Sequence, residues 1–252
     1  MTSAARIPKL EPAALDEDQR ALYDAIAGGR RAQGPQLFRL ADSEGRLEGP
    51  FNAFLLQPRL GSALQALGSA VRYDTGLDDR CREIAILVVA AHWESEFEWY
   101  AHEAVGRSVG LGDAELAAVR DGRYTELTAA RDGRPAARDG RPAARDGRSA
   151  ARDGRSAARD GRSAARDGRS AALAIREAVV ARTVAALASR GDLGDAEYRE
   201  AVDHIGAPGL FELLTLVGYY ATLALQLRVF RVPAPDSAPP GVPAPGAPGP
   251  QT

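Results

Sequence analysis

Apolar residues recur at spacings of three and four along most of the chain, and no stretch alternates apolar with polar over strand length. That pattern predicts helices. The first covers 15–27, with Asp16 near its start and Gly28-Gly29 at its end. Two short helices, 51–56 and 60–71, flank Pro58. A further helix runs from an N-cap at Asp78 to about 91, with Ile84, Leu87, Val88 and Ala91 facing a core. The next spans 94–109 and stops at Gly110; Asp113 caps a short helix over 114–120. Downstream, 173–189 ends at Gly191, and Asp195 caps a helix that reaches His204. Pro208-Gly209 breaks the chain before 210–230, the most apolar helix and the one expected at the centre. The predicted fold class is all-α.

Two segments stand outside this pattern. Residues 129–170 are six copies of a seven-residue unit, AARDGR followed by Pro or Ser, and 232–252 form a Pro-rich tail. A seven-residue period suggests a coiled coil, but each unit offers only Ala-Ala where a seam needs two large apolar residues. Each unit also carries a Gly, which costs about 1 kcal/mol in a helix relative to Ala. The insert is therefore expected to be a solvated, disordered loop, and the tail a disordered end. An Arg-rich arm for nucleic acid is the rival reading; the interleaved Asp and the missing aromatics speak against it. The expected organisation is one helical domain over 1–231, interrupted by the insert at 129–170 and followed by the tail.

Composition narrows the function classes. The chain has 252 residues, is 45% hydrophobic and 26% charged, and has a formal net charge of −2. The insert contributes positive charge, so the near-neutral total hides an acidic body. A single Cys excludes a disulfide framework, a Cys-rich zinc module and a CxxC pair. No apolar run is read as long enough to cross a bilayer, and the first residues have no apolar signal core. The expectation is a cytoplasmic protein without membrane or nucleic-acid partners.

The densest polar cluster runs His92-Trp93-Glu94-Ser95-Glu96-Phe97-Glu98-Trp99-Tyr100-Ala101-His102-Glu103. On one helix, Glu94, Glu98 and His102 would form a single stripe, with Trp93, Phe97, Ala101 and Ala104 on a neighbouring core face. A carboxylate one turn before an imidazole makes a workable acid/base pair. Such a pair is also common on solvated helix faces. Aromatic neighbours would desolvate the carboxyl and favour its protonated form.

The stretch 78–111 resembles the carboxymuconolactone decarboxylase family, which includes the alkyl hydroperoxidase D-like proteins. The resemblance rests on an acidic turn, Arg82-Glu83-Ile84-Ala85-Ile86-Leu87-Val88, the polar cluster ending at His102, and the Gly110-Leu111-Gly112-Asp113 exit. The hydroperoxidase branch has a Glu twelve residues before the first Cys of a CxxC and a His four after the second. Here those positions hold Glu83, Ser95, Glu98 and His102, and Cys81 lies on the other helix, so a thiol peroxidase is not expected. The decarboxylase pattern is matched at Arg82, Glu96, Glu98 and His102, with Phe97 where that branch has a His. The resemblance implies an all-helical fold, a trimer or hexamer, and sites near subunit contacts.

It also implies a chemistry. Arg82 would grip a carboxylate or oxyanion of a small-molecule substrate. His102 would move a proton, with Glu98 setting its tautomer. Glu94, Glu96, Trp99 and Glu83 would shape the pocket, and Glu83 could equally be a buried partner of Arg82. No cofactor motif is present in the sequence. A metal site drawing on His92, Glu94, Glu98 and His102 is one alternative, although di-iron bundles use Glu-x-x-His pairs from two helices. A non-catalytic, ligand-binding relative is another. Glu212 on the apolar 210–227 stretch either joins the site cluster or lies at a frayed helix start. Tyr219 and Tyr220 are read as core aromatics, His204 as an end-of-helix cation, and Cys81 as a small buried residue.

Overall fold

The structure, a computed structural model, describes residues 5–33, 36–128 and 155–235, with side chains in the last stretch from residue 170. Among the described residues there is no strand; a lone bridge joins Ala41 to Leu47. The early helices are α1 (Glu17–Ala27), α2 (Pro50–Phe54) and α3 (Pro58–Tyr73). Asp16 caps α1 by accepting from Gln19 N, and the Gln19 side chain returns to Asp16 N, which satisfies two free amides. The central pair is α4 (Asp79–His92) and α5 (Glu96–Ser108), followed by α6 (Asp113–Arg120). Two long helices complete the body, α7 (Arg155–Arg190) and α8 (Asp195–Phe230). The fold is all-α, as the periodicity predicts.

The centre is α4, which packs against α5, α6, α7 and α8. Cys81 and every residue from Glu83 to Ala90 are buried, so α4 is enclosed on all sides. This corrects the placement of 210–230 at the centre. The second half of α8 buries Leu213, Leu216, Tyr219, Tyr220, Leu223 and Leu227 along one face and leaves Phe211, Leu214, Leu225 and Val229 exposed on the other. Apolar content all round a helix does not by itself say how many neighbours it has. An 18-residue window of α8 reaches a mean hydropathy of 1.4, enough by length and composition to cross a membrane, with 44% of it buried in the fold. The reading that no such run exists is corrected for α8.

Several helix ends differ from the sequence reading. Asp78 caps α4 as expected, accepting from Cys81 N at 2.8 Å. Glycines 112 and 194, rather than Asp113 and Asp195, hold the N-cap positions of α6 and α8, while Glu115 and Glu197 reach back to the cap amides. The break in α8 falls at Gly206, whose φ of 71° suits glycine, and Pro208 then sits in the first turn of the second segment. Helix α7 begins at Arg155, earlier than the expected 173, so the backbone of the last repeat copies is helical. Those copies carry Ser in place of Pro, which leaves their amides able to propagate a helix. The remainder of the insert, 129–154, and the tail from 236 onward lie outside the described residues.

One buried ion network ties the layers together. The Arg80 guanidinium donates to Glu177 on α7 at 2.8 and 3.0 Å, to Glu115 on α6 at 2.5 Å, and to the Gly110 carbonyl at 2.7 Å. Both carboxylates are almost fully buried, and the four hydrogen bonds from the guanidinium are what let the charges stay inside. Glu212 holds another joint. Its carboxylate accepts from Gly76 N and Leu77 N at 2.9–3.1 Å, just ahead of α4. It is thus neither part of the polar cluster nor at a frayed start; it docks α8 onto the turn that leads into the central helix.

Candidate functional site

Glu83 and His102 face each other across the α4–α5 contact. The chain leaves α4 through Trp93, Glu94 and Ser95, with Glu94 at a φ of 50°, and returns antiparallel in α5. That return brings His102 Nδ1 to 2.7 Å from Glu83 Oε2, with both side chains buried. Burial lowers the imidazole pKa below its ordinary value, and the Glu83 carboxylate acts in the opposite direction. The carboxylate fixes the proton on Nδ1 of a neutral ring and leaves Nε2 free to accept.

Glu98 lies one turn before His102 on α5. It is 2% exposed, and neither carboxyl oxygen has a hydrogen-bond partner. Desolvation therefore holds its carboxyl well above the usual carboxylate range and favours the neutral acid. From α8, the Tyr220 ring meets His102 edge-on at 5.2 Å, and Tyr219 meets Tyr220 in the same way. Burial pushes the Tyr219 phenol up to about 12, and its hydroxyl is unpartnered. Glu98, His102, Tyr219, Arg31, Phe38 and Phe51 are among the side chains enclosing a cavity of about 30 Å³. That is room for one or two water-sized groups.

The predicted site residues separate into three places. His102, Glu98 and Glu83 come together, with exchanged roles: Glu83, not Glu98, holds the imidazole. Residues four apart on one helix project side by side, whereas a carboxylate on the opposing helix can meet the ring end-on. Arg82 does not face Glu98 and His102. It bonds Asp79 and the Leu77 carbonyl at the start of α4, lies 4.0 Å from the far oxygen of Glu83, and does not line the cavity. The side chains of Glu94, Glu96 and Trp99 line a separate open groove of about 420 Å³ with Ser95, Glu103 and Arg120. Trp99 there donates to Glu103 at 2.7 Å and lies under the Arg120 guanidinium at 4.0 Å. The Glu94–Glu98–His102 stripe is not continuous because Glu94 belongs to the turn, 79% exposed and 3.6 Å from Arg228.

The four groups considered for a metal are divided in the same way: His92 and Glu94 are exposed at the corner, while Glu98 and His102 point inside. Cys81 is fully buried in α4, and burial pushes its thiol pKa far up, so it behaves as a small core residue. Three residues of the cavity region escaped the sequence reading as site groups: Arg31, Arg72 and Tyr219. Arg31 sits in a short turn after α1 and Arg72 in the last turn of α3, where an arginine reads as an ordinary helix-end cation, and the Tyr219-Tyr220 pair reads as core on an apolar helix.

No protein-family model matches the chain, and no curated protein matches it. Among solved structures, a protein from Ralstonia eutropha JMP134 described as an alkylhydroperoxidase AhpD core, an uncharacterized peroxidase-related protein, superposes with a TM-score of 0.58. The match covers 92% of this chain and 93% of that one at 13% sequence identity. The chain has the AhpD core fold. In this fold the α4–α5 hairpin is the scaffold that presents Glu83, Glu98 and His102 to one another. The positions at which the sequence resemblance places thiols hold Ser95, buried beside the open groove, and Glu98, buried in the cavity.

Proposed function

We propose that this chain is a cofactor-independent acid/base enzyme of carboxymuconolactone decarboxylase type, a lyase acting on a small carboxylated or enolisable compound. One observation carries the reading: an unpartnered carboxyl group, Glu98, held neutral by burial, beside an imidazole that Glu83 orients. A neutral acid can give a proton to carbon or to a developing oxyanion, and an oriented neutral imidazole can accept one. In a decarboxylation, the bond from the α-carbon to the carboxylate breaks and its electron pair passes into an enolate. Carbon dioxide leaves, and the Glu98 proton is delivered to carbon. The resulting carboxylate is reprotonated from solvent by way of His102 Nε2. Glu83 is a positioning residue in this scheme, and Arg82 has no part in contacting the substrate.

The active form is proposed to be a cytoplasmic homo-oligomer, a trimer or hexamer, without nucleic-acid or membrane partners. The exposed apolar residues of α8, with Phe211 at 72% and Val229 at 54%, support self-association. Light scattering on the purified protein tests this, and a monomer at all concentrations would rule it out.

The test of activity is a panel of small carboxylic acids, including carboxymuconolactone, incubated with the protein in heavy water and followed by NMR for carbon dioxide loss or α-deuteration. Turnover that His102→Ala and Glu98→Gln both abolish is the expected result. Near-normal turnover in both variants would end the proposal. The second reading, a non-catalytic ligand-binding relative, is favoured by the small size of the inner cavity. It predicts saturable binding without any exchange.

A further inference from the structure

A second chamber of about 180 Å³ abuts the inner cavity. Arg31 and Phe38 form part of both walls, and Arg30, Arg72 and Tyr73 complete much of the outer one. The chamber therefore carries three guanidinium groups and no carboxylate among its lining residues. Arg30 is already engaged, bonding Asp74 at 3.1 Å and stacking on Tyr73 at 4.3 Å. Arg31 and Arg72 are different. Neither appears in an ion pair among the described residues, and Arg31 Nε and Arg72 Nη1 are buried without a hydrogen-bond partner. The Tyr219 hydroxyl, also unpartnered, lies on the same side: a Cβ on Gly68 would come 2.1 Å from it and 2.8 Å from Arg31 Nη2.

Arg72 feels the Glu83 carboxylate and bonds Tyr73, yet its Nη1 is left over, and buried donors without partners are costly. Arg31 borders both chambers, Arg72 the outer one and Tyr219 the inner one, and together their donors make a site that an anion would satisfy. A carboxylate matches a guanidinium fork through two parallel N–H···O bonds. We propose that Arg31 and Arg72, with the Tyr219 hydroxyl, form the carboxylate-binding subsite, so that the substrate is a small carboxylic acid whose body occupies the outer chamber and whose reacting carbon points toward Glu98 and His102. The orientation of the reacting carbon toward Glu98 and His102 rests on the acid/base reading; the anion subsite stands on Arg31, Arg72 and Tyr219. It gives Arg31, after α1, and Arg72, at the end of α3, the role that the sequence gives to Arg82.

The probes are malonate, its neutral dimethyl ester, and inorganic phosphate, titrated into the full chain while the imidazole resonances of its three histidines are followed by NMR. Malonate should saturate and move the His102 signals, the ester should not, and phosphate should bind more weakly than malonate. Arg31→Gln and Arg72→Gln should each weaken malonate by about tenfold or more, while Arg31→Lys, which keeps the charge but loses the fork, should fall between. Arg82→Gln should bind malonate as the unaltered chain does. Ester binding equal to malonate, phosphate binding tighter than malonate, or malonate binding unchanged in Arg31→Gln would each overturn the subsite. Should the glutamine variants fail to fold, the malonate–ester comparison on the unaltered chain still decides. Arg31-dependent malonate binding without turnover of any acid would retain the subsite and remove the enzymatic reading; turnover that survives Arg31→Gln would do the reverse.

Discussion

Glu83 on α4 and His102 on α5 are nineteen residues apart in sequence and 2.7 Å apart in space, buried together. Removing one partner leaves the other without its bond in a low-dielectric interior. Glu83→Ala is expected to cost about 2–4 kcal/mol in urea unfolding. In a double-mutant cycle with His102→Phe, the coupling should be about 1–3 kcal/mol. Additive effects would show that the contact contributes little.

Protonation should make stability depend on pH in two opposed ways. The folded state keeps Glu98 protonated above its ordinary value of 4.5, where the unfolded chain has released that proton. The folded state then binds more protons, so stability falls as pH rises from 4.5 toward the folded value. Glu98→Gln removes this slope, and its Tm should gain on the unaltered chain as pH climbs. His102 acts in the other direction. Its folded value lies below 6.5, so the unfolded chain binds the extra proton and stability falls as pH drops below 6.5. His102→Asn should flatten that acidic limb. Thermal melts from about pH 4 to 9, which bracket both ordinary values, would check both.

Arg80 and Arg82 should behave very differently although both lie in the first turn of α4. Arg80→Met removes the guanidinium that the buried Glu115 and Glu177 share and should cost about 3–5 kcal/mol. Arg82→Met loses a pair with Asp79, which is 69% exposed, and a 4.0 Å approach to Glu83, and should cost less, about 1–2 kcal/mol. Equal losses in chemical denaturation would contradict the assignment of the two arginines.

Gly68→Ala should disturb the Arg31–Tyr219 corner without touching α5. The added Cβ meets the Tyr219 hydroxyl and ring too closely for ordinary packing. A loss of about 1–3 kcal/mol is expected. Tyr219→Phe removes the atom in closest approach and should recover part of it, measured by unfolding of the single and double variants.

Glu212→Ala should loosen the seat of α4. Three backbone N–H···O contacts vanish, and a loss of about 1–2 kcal/mol is expected. Faster amide exchange at Gly76 and Leu77 should accompany it. Unchanged exchange there would show that water replaces the carboxylate at no cost.

Much of the fold was legible because helices are local. The three-and-four spacing marks α4 through Ile84, Leu87 and Val88, Asp78 announces its start, and Gly191 ends α7. The Glu98–His102 neighbourhood was legible for the same reason, since residues four apart share a helix face. What failed was anything that needed a second element. Glu94 left the stripe because the chain turns at that residue. Arg82 was drawn into the site by its place in a motif, yet its side chain is taken by Asp79 and Leu77 on its own helix start.

The sequence by itself determined the helical class, the main helix spans, the caps at Asp16 and Asp78, and the candidacy of Glu98 and His102, because each follows from contacts within a few residues. The tertiary structure alone decided that Glu83 holds the imidazole, that Glu98 is desolvated and unpartnered, and that Arg31, Arg72 and Tyr219 border the chambers. Those relations join α5 to α4, α3, α8 and the segment after α1. They depend on how helices pack, and periodicity along one helix carries no information about which residue of another will lie opposite.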